Sequence, residues 1–117
     1  MNMNENYILL EANEEFSACL PQHDGTLLFS TDGATWAAEK KEMQSKGGRL
    51  YLRGRGNTYV QRLEIRSNKT CRIKLSGNIE SLLDFETVEK GLHPVMGDGT
   101  FANLFSSSCI TDASALK

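Results

Sequence analysis

The chain is poor in the residues that usually carry chemistry. Cysteine occurs three times, at Cys19, Cys71 and Cys109, far apart and never as Cys-x-x-Cys. That spacing gives no support to a zinc or redox site, and an odd number does not make a disulfide framework. The expectation is three reduced thiols, buried as small apolar side chains. Histidine occurs twice, at His23 and His93, in turn-like sequence without ligand-spaced neighbours, so no metal is expected. No serine stands in a Gly-x-Ser-x-Gly elbow, and no Cys–His pairing is readable. Gly54-Arg55-Gly56 opens no helix, so it is not a phosphate loop. Asp24, Asp32, Asp84 and Asp98 fall in turn-like sequence, and turn formation explains them. Asp98-Gly99 beside Glu86 or Glu89 lacks the ligand pattern of a calcium loop. No catalysis and no cofactor are expected.

Long apolar runs are missing too: none approaches the roughly 18 residues of a membrane span. Residues 1–16 lack a basic n-region and a long apolar h-region. The expectation is synthesis without ordinary secretion, or a piece of something longer. A net charge of −2 gives no general affinity for nucleic acid or anionic membrane. Charge is unevenly spread, however. Residues 1–39 hold seven acids and no Lys or Arg, whereas residues 40–74 hold eleven of the thirteen basic residues and two acids. In a β protein this places basic strands beside acidic ones, joined by cross-strand charge pairs; the alternative is a basic face.

What is present reads as β structure in one compact domain. The organising stretch is residues 26–54. Leu27, Leu28 and Phe29 form an apolar run, Thr31-Asp32-Gly33 a turn, and Ala34-Thr35-Trp36 the start of a returning strand. Leu50 and Leu52 then alternate with Arg49, Tyr51 and Arg53, the period of a half-buried strand. Further strands are expected at residues 7–10, 16–20, 58–60, 63–66 and 70–76, where Cys71, Ile73 and Leu75 share one face. Trp36 is expected in the core. Residues 37–46 read as polar strand and loop, residues 54–57 as a flexible turn. The spacing of turns predicts an all-β fold, a small antiparallel sandwich of seven or eight short strands over residues 1–78. Residues 79–117 form a short α/β tail: a helical turn at 79–83, a loop at 84–99 and a short helix at 100–105.

The succession LLFSTDGATW, RLYLRGRGNT, RIKLSGNIESLL and TFANLFSSSCITDASAL resembles the N-terminal β domain and first repeat of leucine-rich-repeat (Treponema-type) surface proteins of gut anaerobes. Similar modules occur in virion proteins of their phages. Phe101-Ala102-Asn103-Leu104-Phe105, Cys109 and Ile110-Thr111-Asp112-Ala113 match the first repeat. Such proteins continue into many repeats, whereas this sequence stops after one. A solenoid needs about three to bury its core, so the tail packs on the β domain, on a partner or on a copy of itself.

The resemblance implies a non-enzymatic structural or attachment module, virion-associated or exposed on a bacterial surface, that docks on other protein subunits, copies of itself included. The rival is a carbohydrate-binding adhesin module. Two residue sets could bind: Arg49, Tyr51, Arg53, Arg55 and Tyr59 on and beyond one strand face, and the apolar tail set Phe101, Leu104, Phe105 and Ile110.

Overall fold

The computed structural model describes residues 6–66 and 72–94, together with the backbone of a strand over residues 110–116. The expected helix at 100–105, with Phe101, Leu104 and Phe105, lies outside the described residues, as do Cys71 and Cys109.

The fold is all-β and sandwich-like. Its main sheet has six strands. At its centre lies β7 (Arg49–Arg55), flanked by β1 (Ile8–Glu11) and β4 (Thr26–Ser30), both antiparallel to it. Outside β4 runs β5 (Ala37–Ala38), and outside β1 run β10 (Ile73–Gly77) and then β11 (Ile110–Leu116). The β10–β11 pair is parallel, with register shifts along it. The segment expected as a tail therefore ends as a strand of the main sheet.

Two smaller sheets complete the domain. One has β2 (Ser17–Cys19) between β6 (Met43–Gln44) and β9 (Glu64–Arg66); the other pairs β3 (Gln22–His23) with β8 (Val60–Gln61). Ten strands lie among the described residues of 1–78, more than the seven or eight expected there, because several are pairs of residues between turns. Alternation decides what is buried. Ile8, Leu10, Leu27, Leu50, Leu52, Ile73 and Leu75 from the main sheet meet Phe16, Ala18, Leu20, Met43, Val60 and Leu63 in one core.

One helix, α1 (Ser81–Glu89), closes the end of the core with Leu82 and Leu83. It runs on through residues expected as loop. Leu82, Phe85 and Val88 are buried at three-residue spacing, and Gly91 (φ 74°) ends it. There the Gly91 and Leu92 N–H groups donate to the Val88 and Thr87 carbonyls, a Schellman cap. The helix is kinked at Asp84, which is extended (φ −156°, ψ 99°). The kink has a local cause. The Leu82 and Leu83 carbonyls accept from the side chain and backbone N–H of Asn57 (3.1 and 2.9 Å).

The segment at 54–57 is thus no flexible turn. Gly54 is buried within β7, and a Cβ there would stand 1.8 Å from the Leu82 carbonyl oxygen. Asn57 is only 3 % exposed. Its amide donates to the Thr26 and Leu82 carbonyls (2.8 and 3.1 Å) and its Oδ1 accepts from the Gly25 N–H (2.6 Å). One side chain ties β4, the turn before it and α1 together.

Candidate binding face

The outer face of the main sheet is set by the odd-numbered residues of β7. Arg49, Tyr51, Arg53 and Arg55 point away from the core, between buried Leu50, Leu52 and Gly54. Four of the five residues expected to bind are brought together here. Tyr59 is not: it stands before β8, beside a separate cleft of about 520 Å³ lined with Pro21, Gln22, His23 and Gln61. Period two places residues on a face only within one strand, so its reach ended at Arg55.

The face also holds residues that strand alternation does not reveal. Between β4 and β5 the chain makes a longer excursion than a two-residue hairpin turn. Asp32 organises it: Oδ1 accepts from the Ala34 and Thr35 N–H groups and from the Ser30 hydroxyl, each at 2.8 Å. These donors pull its carboxyl down to about 2. Gly33 takes φ 78° and lies against the Tyr51 ring, where a Cβ would come within 3.2 Å. Trp36 follows, half-buried on the outer face rather than in the core.

The Arg53 guanidinium lies over the Trp36 ring at 4.0 Å and over the ring of Phe85 of α1 at 3.8 Å. Tyr7 meets Tyr51 edge-on at 5.2 Å and Trp36 at 6.5 Å. Guanidinium–ring contacts of this kind stabilise by roughly 0.5–2 kcal/mol each, more when desolvated. The stack therefore fastens the excursion and α1 to the sheet. Burial lowers the Arg53 pKa, yet an arginine stays charged at any ordinary pH.

Flanking charges are paired. Arg49 meets Glu11 across the β1–β7 ladder (3.4 Å), and Arg55 meets Glu86 of α1 (2.7 Å). The Arg49–Glu11 pair is the cross-strand pairing that the uneven charge distribution suggested; Arg55–Glu86 joins a strand to the helix. Arg53 has no such partner among the described residues: its Nε is buried without a hydrogen-bond acceptor there, and Glu89 and Glu86 act on it through space.

No family model matches this chain, and neither a curated protein nor a solved structure matches it.

Elsewhere, Cys19 is half-buried, not sealed in the core, because it sits on the outer side of β2. It borders a cleft of about 300 Å³ with Ser17, Lys41, Glu42, Glu64 and Arg66. Burial and the nearby Glu64 carboxylate (3.6 Å) push its thiol pKa up, the opposite of what a nucleophile needs. His23 places Nδ1 at 3.0 Å from the Gly25 carbonyl and Nε2 at 2.5 Å from Glu39, holding β3 to the segment after β5. His93 pairs with Glu80 at 2.8 Å. Among the described residues no three His, Cys, Asp or Glu side chains are grouped to hold a metal ion, and no helix is long and apolar enough to cross a membrane.

Proposed function

We propose that the protein is a non-enzymatic attachment module that docks on other proteins, in a virion or on a bacterial surface. The observation that carries this reading is the outer face of β7, where Tyr7, Trp36 and Tyr51 are half-buried around Arg53, which has no ion-pair partner within reach among the described residues. Trp, Tyr and Arg are the side chains that dominate protein–protein binding energy.

Two further features support it. Among the described residues, β11 is the outermost strand of the main sheet at one end, seven residues long, whereas β5 at the other end has two. A long edge strand offers main-chain donors and acceptors to a partner strand. The second feature is that β11 lies parallel to β10 at the edge of the main sheet, so the end of the segment likened to a first repeat is held to the β domain.

The test is the mass of the whole chain by light scattering over a wide concentration range. Concentration-dependent assembly that Trp36→Ala weakens is the expected result. A monomer at all concentrations, together with saturable binding in a glycan screen, would replace this reading with the carbohydrate-binding one.

A further inference from the structure

We propose that the open edge of the Arg53 guanidinium is the anchor of this face, and that it receives an aspartate or glutamate carboxylate of a partner protein. The proposal rests on the docking reading and names the chemistry of the partner.

The guanidinium is packed against two rings, Trp36 at 4.0 Å and Phe85 at 3.8 Å. Its Nε is buried and unpartnered among the described residues. Arg53 as a whole is only half-buried, and the Nη nitrogens are not among its buried unpartnered atoms, so the edge that carries them is the part left for a ligand. That edge presents two parallel N–H donors, the spacing of a carboxylate's two oxygens. The rings hold the fork in one orientation before any ligand arrives, so little side-chain freedom is lost on binding. They also remove water from around the cation, which strengthens an ion pair beyond an exposed one.

The surroundings select the ligand. Arg49 and Arg55 already meet Glu11 and Glu86, so the one arginine of β7 left for an outside anion is Arg53. Glu86 and Glu89 are close enough to act on it through space. Their negative charge weighs against a phosphate or sulfate dianion more than against a single carboxylate. Arg53 belongs to a sheet face, and a fixed cation there suits a protein partner, with Tyr7, Tyr51 and Trp36 as the apolar surround of the ion pair.

The single tryptophan reports directly on this edge. The whole chain is titrated at low salt with a capped hexaglutamate peptide, and Trp36 emission is followed. The expected result is a saturable change that hexaglutamine does not produce. Inorganic phosphate should compete weakly, and Arg53→Lys, which keeps the charge but loses the fork, should weaken the peptide by roughly tenfold. Arg66→Met, which removes a positive charge from β9 in another sheet, should leave binding nearly unchanged. A proton–nitrogen NMR map of the unsubstituted protein covers the case in which a variant misfolds: shifts should centre on the Trp36 indole and the Arg53 side chain. Equal binding by Arg53→Lys, shifts centred on Arg49, or phosphate binding tighter than the peptide would each overturn the anchor. If the chain assembles in light scattering but ignores the peptide, the anchor fails and the docking reading stands. If it binds the peptide but never assembles, the anchor stands without self-docking.

Discussion

Asn57 offers the sharpest test of how this domain holds together. Asn57→Ala removes three side-chain hydrogen bonds, to Thr26, Leu82 and Gly25. Each contributes about 1 kcal/mol net, and a buried group left without a partner costs more than that. The backbone bond from the Asn57 N–H to the Leu83 carbonyl survives the substitution. The loss is therefore about 3 kcal/mol, a large part of the roughly 5–15 kcal/mol that holds a small domain folded. For a chain of 117 residues, unfolding entropy is about 0.25 kcal/mol per degree, so the melting temperature should fall by about 12 °C. Asn57→Asp should be worse, because a carboxylate oxygen would face the Thr26 and Leu82 carbonyls in place of the amide. The assay is thermal unfolding followed by far-ultraviolet circular dichroism, with urea unfolding as a second probe. A fall of less than about 3 °C for Asn57→Ala would show that water replaces the side chain without loss and that Asn57 is not the tie between β4 and α1.

Gly54→Ala should destabilise by about 3 kcal/mol, because its Cβ meets the Leu82 carbonyl at 1.8 Å. Gly56→Ala, at φ 66° but in open space, should cost about 1 kcal/mol; equal effects in urea unfolding would contradict the close approach of α1 to β7. Asp32 has a folded-state pKa of about 2, below the ordinary 3.8. Its contribution is therefore complete above pH 3.8 and is lost as pH falls through about 2. Trp36 emission should change over that window and lose the step in Asp32→Asn; a transition at pH 5 or above would refute the assignment. Cys19, with its raised thiol pKa, should be alkylated by iodoacetamide at pH 8 more slowly than free cysteine, as read by peptide mass mapping.

The half-buried strands were legible because each carries its own signature. Leu50-Tyr51-Leu52-Arg53 alternates, and so does Ile73-Lys74-Leu75. What the sequence hid depends on a second segment. Gly54 and Asn57 look like turn residues until α1 is placed against them. Trp36 looked like core because aromatic residues usually are, whereas its partner Arg53 lies on another strand and faces outward. The helix was partly readable: Leu82, Phe85 and Val88 keep helical spacing and Gly91 marks its end. The acidic and polar residues between them obscured the stripe. Arg49, Tyr51 and Arg53 were found as a set by alternation, Arg55 joins them because β7 runs on through it, and Tyr7, Trp36 and Phe85 joined them only in three dimensions.

The place of β1 has a consequence for how the chain is made. This strand lies between β7 and β10, with Ile8 opposite both Leu52 and Gly77. During synthesis it is made before both and waits for partners more than forty and then more than sixty residues later. Until residue 77 has left the ribosome, Ile8 and Leu10 have no complete sheet in which to be buried. At roughly 5–20 residues per second, that is several seconds of exposed apolar strand. Folding must then proceed through distant rather than local pairing, which is slow. A strand made well before its partners is among the last of its sheet to be enclosed, and β1 stays open to aggregation until β10 is complete.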